Sequence, residues 1–287
     1  MRKTTAPTPS NRSCKPMKAG ASVTQKGVSL IEVMVAMAIG LFILLLISLV
    51  YVEGARHLSF RQGQSENLAN SRYTLDTLES QFSKAGYRRD PTQSMEEAFP
   101  ALTDATTGCT FARGQAITVD GAALCIRFQA RDASETDCSG NTDSAVASLA
   151  PYEGATDTSV GAGVFVERFA ISDQTLVCTA QGTATPVALG VRDIHFEYGV
   201  GPQTASMALR TISSYTSQEP KADETVRSLK YAILLAASKA RLTSGIESSV
   251  CSRWKTTAGD SNTSCDESGG HLYQIASGAL NLRNLMP

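Results

Sequence analysis

The chain has 287 residues, with 26 basic against 27 acidic side chains and a net charge of −1. The balance is uneven along the chain, because six of the basic residues lie in the first 26 positions, with no acid among them. Without those six the chain keeps 20 basic against 27 acidic side chains, which opposes a general nucleic-acid-binding surface, since that needs an excess of lysine and arginine.

Residues 1–26 carry Arg2, Lys3, Arg12, Lys15, Lys18 and Lys26. Such a leader stays on the cytoplasmic side of a membrane by the positive-inside bias. From Val33 to Val52 there is no charged residue. A helix of that length spans roughly 30 Å, the thickness of a bilayer's hydrocarbon core. A secretory signal peptide places its small-residue cleavage site after the apolar stretch. Here the small residue, Gly27, comes before it. Cleavage after Gly27 discards the leader, keeps the apolar helix and creates a new α-amine on Val28. One acid, Glu32, stands at the edge of the apolar run. A carboxylate inside a membrane helix costs roughly 2.5–3.5 kcal/mol on lenient insertion scales. The new amine on Val28 offers it a partner, either about one turn away in the same helix or on a neighbouring subunit in a low-dielectric bundle.

The run Lys26-Gly27-Val28-Ser29-Leu30-Ile31-Glu32-Val33 resembles the class III signal of type IV pilins and type II secretion pseudopilins. The resemblance implies a prepilin peptidase that cuts between Gly27 and Val28 and methylates the Val28 amine. It implies that Glu32, at the fifth mature position, forms the assembly salt bridge that guides docking. One departure is Val28, where the family usually has Phe or Met. An ordinary single-pass anchor with a stray acid would share the apolar length, but not the basic leader, the glycine and the glutamate spacing together.

The helix is expected to run on to about residue 85, roughly 80 Å in all. No proline occurs between Glu53 and Lys84, and Leu68, Leu75, Leu78, Phe82 and Ala85 recur at helical spacing, with Gly86 as the stop. Gly40, Gly54 and Gly63 each weaken this helix by roughly 1 kcal/mol relative to alanine. Gly40 is the expected point of bending or local melting on filament entry, which uniformly slow hydrogen exchange across it in the assembled state would contradict.

Beyond residue 87 the composition turns to Thr, Ser, Gly and Ala. Strands are expected at 116–119, 124–130, 163–171, 175–179, 191–198, 228–237 and 271–282. In the fifth of these Ile194, Phe196 and Tyr198 alternate with Asp193, His195 and Glu197, giving one buried and one wet face. The uniformly apolar 231–236 reads as a central strand. The expected fold class is α+β, a long N-terminal pilin helix whose first half spans the membrane, packed on an antiparallel sheet domain with disulfides. The expected segments are a leader at 1–27, a transmembrane and assembly helix at 28–52, its amphipathic continuation at 53–86, and a β-rich periplasmic or extracellular domain at 87–287.

Of the seven cysteines, Cys14 lies in the leader, and six remain after cleavage. An even count suits disulfides in an oxidising compartment. Closeness in sequence favours Cys109–Cys125 and Cys251–Cys265, leaving Cys138–Cys178. No CxxC pair and no zinc-like His/Cys spacing occurs, so no metal and no cofactor is expected. His57, His195 and His271 are scattered, there is no nucleophile elbow or HExxH, and Gly161-Ala162-Gly163 lacks the rest of a phosphate loop, so no enzyme is expected. The acid-rich runs 137–143 and 260–266 lack EF-hand order and read as turn chemistry.

Two later stretches resemble the PilW family of type IV pilus minor pilins, itself similar to the J-type minor pseudopilins of type II secretion. They are Val191-Arg192-Asp193-Ile194-His195-Phe196-Glu197-Tyr198-Gly199-Val200 and the terminal Leu280-Asn281-Leu282-Arg283-Asn284-Leu285-Met286-Pro287. The resemblance implies a minor pilin that primes pilus polymerisation and sits in the tip complex. Its implied partners are other minor pilins, the major pilin, the prepilin peptidase, a PilY-type tip adhesin and the inner membrane, with no nucleic acid. Its implied location is the inner membrane with a periplasmic C-terminal domain before assembly, and the pilus, at its tip, afterwards. The alternatives are a minor pseudopilin of a type II secretion system, and a periplasmic binding module or enzyme on an uncleaved anchor.

Overall fold

The structure is a computed structural model that describes residues 27–154, 163–203, 211–221, 223–243, 249–259, 265 and 268–286. Residues 1–26 of the leader, Gly161, Ala162 and most of the 260–266 run lie outside the described residues. Two compact units are distinguished, Met1–Glu53 and Gly54–Pro287.

One helix, α1, runs from Leu30 to Phe82 and belongs to both units. In the first unit it is bare, and no residue from Leu30 to Glu53 is buried. In the second unit it lies on antiparallel sheets. Its buried positions are Gly63, Asn67, Ser71, Thr74, Leu78 and Phe82, spaced by three or four residues along one face. The expected stripe is therefore correct only at its lower end. Leu75, Leu78, Phe82 and Ala85 enter the main core, but Leu68 is 45% exposed. Higher up, side chains of the sheet domain and the Leu272 carbonyl lie too close for large side chains on the helix. A Cβ on Gly63 would meet Leu242 Cδ1 at 2.6 Å, and Asn67 Nδ2 donates to Leu272 O at 2.8 Å. Small or hydrogen-bonding residues fit there, and a hydrophobic pattern does not reveal them.

The helix ends at Phe82, three residues before the expected 85. A turn follows to Gly86, whose φ of +72° suits glycine. Asn284, in a 3₁₀ turn over Arg283–Leu285, closes this end. Its Nδ2 donates to the carbonyls of Ser83 at 3.0 Å and Ala85 at 3.2 Å, acceptors that a helix end leaves without intrahelical donors.

The strands are β1 (Leu102–Thr103), β2 (Thr110–Phe111), β3 (Ile117–Asp120), β4 (Ala123–Gln129), β5 (Val164–Ser172), β6 (Thr175–Ala180), β7 (Thr183–Leu189), β8 (Val191–Pro202), β9 (Ser214–Thr216), β10 (Glu224–Ala236) and β11 (Tyr273–Asn281). A short helix α2 (Met95–Ala98) precedes β1, and α3 (Ser249–Ala258) lies between β10 and β11. They form two main antiparallel sheets rather than the single one expected: β3-β4-β5-β6-β7 and β11-β10-β8-β9, with a β1-β2 ribbon beside them. The first is a meander closed by tight turns. Asp173 and Gln174 between β5 and β6 both have positive φ, as do Gln181 and Gly182 between β6 and β7, the backbone of two-residue hairpins.

Phe82 joins the layers. Its ring meets Phe169 of one sheet at 5.2 Å and Tyr231 and Phe196 of the other at 5.7 and 6.2 Å, all edge-on. Strand β10 lies between β8 and β11, as its apolar 231–236 run predicts. Opposite Tyr231 on β11 stands Gly278, where a Cβ would lie 2.5 Å from the tyrosine ring, so the glycine makes room for it.

Three disulfides brace the second unit: Cys109–Cys125, Cys138–Cys178 and Cys251–Cys265. These are the pairs that closeness in sequence favours. The second closes the longest loop, with a separation of 40 residues, worth about 4 kcal/mol in the chain-entropy account. The third ties α3, whose Cys251 and Trp254 pack on Leu234, Ala236 and Tyr273. Trp254 Nε1 donates to Asp193 Oδ2 at 3.1 Å, fixing α3 against β8.

Candidate processing and assembly site

The predicted site residues Gly27, Val28 and Glu32 lie together at the start of α1. Gly27, Val28 and Ser29 precede the helix, and Val33 N donates to Ser29 O at 3.2 Å to open its first turn. Gly27 and Val28 are exposed, so the peptide between them is open to a protease. A Cβ on Gly27 would meet nothing within 4 Å, and its φ is not positive. The chain's own fold therefore does not require glycine at position 27. A glycine without an internal role suits recognition by a second protein.

Glu32 is the only acid in the first turn of α1. The partial positive charge at a helix N-terminus favours it there by about 0.3–1 kcal/mol. That is smaller than the roughly 2.5–3.5 kcal/mol cost of a carboxylate in a bilayer. The dipole alone does not offset burial of Glu32 in lipid, and a cationic partner is needed.

The apolar run after Glu32 has no internal cover. Large side chains from Leu30, 77% exposed, to Tyr51, 76% exposed, all face outward. At about 1.5–3 kcal/mol per buried side chain, leaving this many in water is untenable, and lipid or a helix bundle must cover them. The Ser48 hydroxyl donates back to Leu44 O at 2.8 Å, which keeps it compatible with an apolar medium. Gly40 and Gly54 also meet nothing within 4 Å of an added Cβ.

Other polar groups singled out by the sequence make local contacts. Asp137 accepts from Ser139 N at 2.8 Å and Asn141 N at 2.9 Å, and Asp143 from Ala145 N at 2.9 Å, the turn chemistry expected of the 137–143 run. His271 Nδ1 lies 3.1 Å from Ala237 O, and His195 sits on the outer face of β8. Two buried arginines escaped sequence reading because their partners are distant carbonyls. Arg127 donates to Gln115 O, Pro100 O, Phe99 O and Ala112 O and lies against the rings of Phe99 and Phe111. Arg89 donates to the carbonyls of Glu153, Ala130, Arg131 and Ala150.

A buried acid was also missed. Glu167 on β5 is fully buried, and its Oε1 accepts from Cys138 N at 2.8 Å. One of its oxygens and the sulfurs of Cys138 and Cys178 lie within 4.8 Å of one another. Those sulfurs are bonded to each other and offer no thiolate to a cation.

Residues 23–48 match the family described as the prokaryotic N-terminal methylation motif. No curated protein matches the sequence. Among solved structures, a type IV-like pilin from Thermus thermophilus is similar at 14% identity and a TM-score of 0.38, covering 76% of this chain and 98% of that one. A chain from a binary complex of two pseudopilins of the type 2 secretion system of Vibrio vulnificus is similar at 9% identity and a TM-score of 0.29, covering 61% of this chain and 88% of that one. Both likenesses are too loose to carry a functional conclusion.

Proposed function

We propose that this chain is an assembly subunit of the pilin type, a minor pilin of a type IV pilus that primes polymerisation and forms part of the tip complex. The observation that carries the reading is the N-terminal site: a fold-independent glycine, an exposed peptide bond and an acid five residues on, at the head of an uncovered apolar helix within the matched methylation motif. A prepilin peptidase cuts between Gly27 and Val28 and methylates the Val28 amine. The apolar helix holds the chain in the inner membrane with the sheet domain in the periplasm. On assembly Glu32 meets the amine of a neighbouring subunit, and the uncovered face of α1 joins a helix bundle. The second unit presents its surface to other minor pilins, the major pilin and a PilY-type adhesin, with no catalysis and no cofactor. The two PilW-like stretches favour a pilus over a type II secretion pseudopilus, and both stretches reach the core. Tyr198 is buried within β8, and Leu282 and Leu285 are buried beside the Asn284 cap.

Mass spectrometry of the chain from its native membrane tests the reading. The expected N-terminus is a methylated Val28, and Gly27→Phe is expected to accumulate the precursor mass. A working wild-type chain that keeps residues 1–27 overturns the proposal.

A further inference from the structure

An edge strand presents unpaired backbone donors and acceptors, and proteins normally blunt such edges with charge, proline, bulges or brevity. Three of the four outer edges of the main sheets are blunted in these ways. β7 carries Pro186 and an irregular register against β6, β3 has four residues and β9 has three. The fourth edge, β11, is different. Its nine residues, Tyr-Gln-Ile-Ala-Ser-Gly-Ala-Leu-Asn, hold no charge and no proline, and its register with β10 runs without a bulge.

The register decides which backbone groups face outward. Ala237 N donates to Leu272 O at 3.0 Å and Leu282 N to Arg227 O at 2.8 Å, so these are hydrogen-bonded pairs at either end of the β10–β11 ladder. Pairing alternates along an antiparallel ladder. Gln274, Ala276, Gly278 and Leu280 thus bond to β10, and Ile275, Ser277 and Ala279 turn their N–H and C=O groups away from it. No hydrogen bond to the outward groups of these three residues occurs among the described residues. Ser277, Ala279 and Asn281 are exposed.

We propose that the outer edge of β11, from Ile275 to Asn281, is a strand-addition site whose occupant is an extended segment of a neighbouring pilin-like subunit. A row of evenly spaced backbone donors and acceptors recognises another strand and little else. The small side chains at Ala276, Ser277, Gly278 and Ala279 let a second backbone approach. The inference rests on the assembly role proposed above and names where one subunit grips the next.

Amide hydrogen exchange on the full mature chain provides the test, comparing the chain alone in detergent with the chain in assembled pilus material isolated from its native membrane. The amides of Ser277 and Ala279 are expected to exchange at least tenfold more slowly in the assembly, while those of Ala276 and Gly278 are slow in both. Ser277→Pro removes one outward donor and leaves the bonds to β10 in place, so it is expected to cut incorporation tenfold or more, with Ser277→Ala at the wild-type level. Equal exchange of Ser277 and Ala279 in the two states overturns the site. If Ser277→Pro disturbs the fold, the exchange comparison on the wild-type chain decides alone. A wild-type chain that is processed at Gly27 and assembled, yet unprotected at these amides, refutes the edge and leaves the assembly role standing. A chain that is never cleaved refutes the assembly role itself.

Discussion

Glu167 is a carboxyl whose chemistry departs far from its ordinary state. Burial pushes its carboxyl from 4.5 up to about 8, against the smaller opposing pull of Lys84 and of the Cys138 N–H. It is therefore protonated in the folded protein at neutral pH and ionised in the unfolded chain. The folded state binds the extra proton, so stability is fullest below about pH 4.5 and falls as pH rises toward 8. Across that range the melting temperature of the second unit is expected to drop by on the order of 10 °C from this group. Glu167→Gln keeps the acceptor for Cys138 N–H and removes the titration, so its melting temperature is expected to stay level over the same range. A wild-type profile as flat as the variant's, measured by thermal melts at several pH values, contradicts the protonated state. Nothing in the sequence around Glu167 announces this, because the burial comes from strands and a disulfide far away in the chain. Gly27 and Glu32 stand out in the sequence because their spacing is local, whereas Glu167 depends on distant partners. Arg127 does not stand out, since the carbonyls that hold it come from positions 99, 100, 112 and 115.

At the scale of elements, Phe82 carries the packing of α1 on both sheets. It is fully buried and touches three aromatic rings. Phe82→Ala is expected to cost about 3–5 kcal/mol, from lost burial and the cavity left behind. Asn284→Ala removes the side-chain cap of the helix end and is expected to cost roughly 1 kcal/mol. Denaturant unfolding of both variants checks the order, and a Phe82→Ala loss no larger than that of Asn284→Ala contradicts the role given to the ring. Strands with alternating or β-branched runs, such as β8 and β10, could be read from sequence because their periodicity reports their two faces. β7 could not, because Pro186 and its alternating small residues weaken the pattern while the hairpin turn at Gln181-Gly182 still fixes its place. α3 was missed for a related reason. Its buried face is short, Val250, Cys251, Trp254 and Ala258, and a disulfide and the Trp254–Asp193 bond reinforce it. The upper half of the helix stripe failed because its buried positions are Gly63, Asn67, Ser71 and Thr74, small or hydrogen-bonding residues that hydrophobic periodicity reads as the wet face.

For the whole molecule, the two units have opposite solvent requirements. The second holds its own aromatic core and three disulfides. The first is an apolar helix with no cover of its own. Folding of the second and assembly of the first should therefore respond to different substitutions. Glu32→Ala removes an exposed carboxylate and leaves an alanine, which lowers the cost of membrane insertion and disturbs no contact in the sheet domain. On the assembly role proposed above, the variant is expected to insert and be processed, with an unchanged melting temperature for the second unit, yet to enter pilus fractions at least tenfold less often, since it lacks the carboxylate proposed to pair with a neighbour's amine. Glu32→Gln, which keeps the shape without the charge, is expected to fall with it. Retention of both variants at the wild-type level in sheared pilus material would mean that register is set elsewhere on the helix. Loss of insertion itself would mean that the acid serves the membrane step rather than docking.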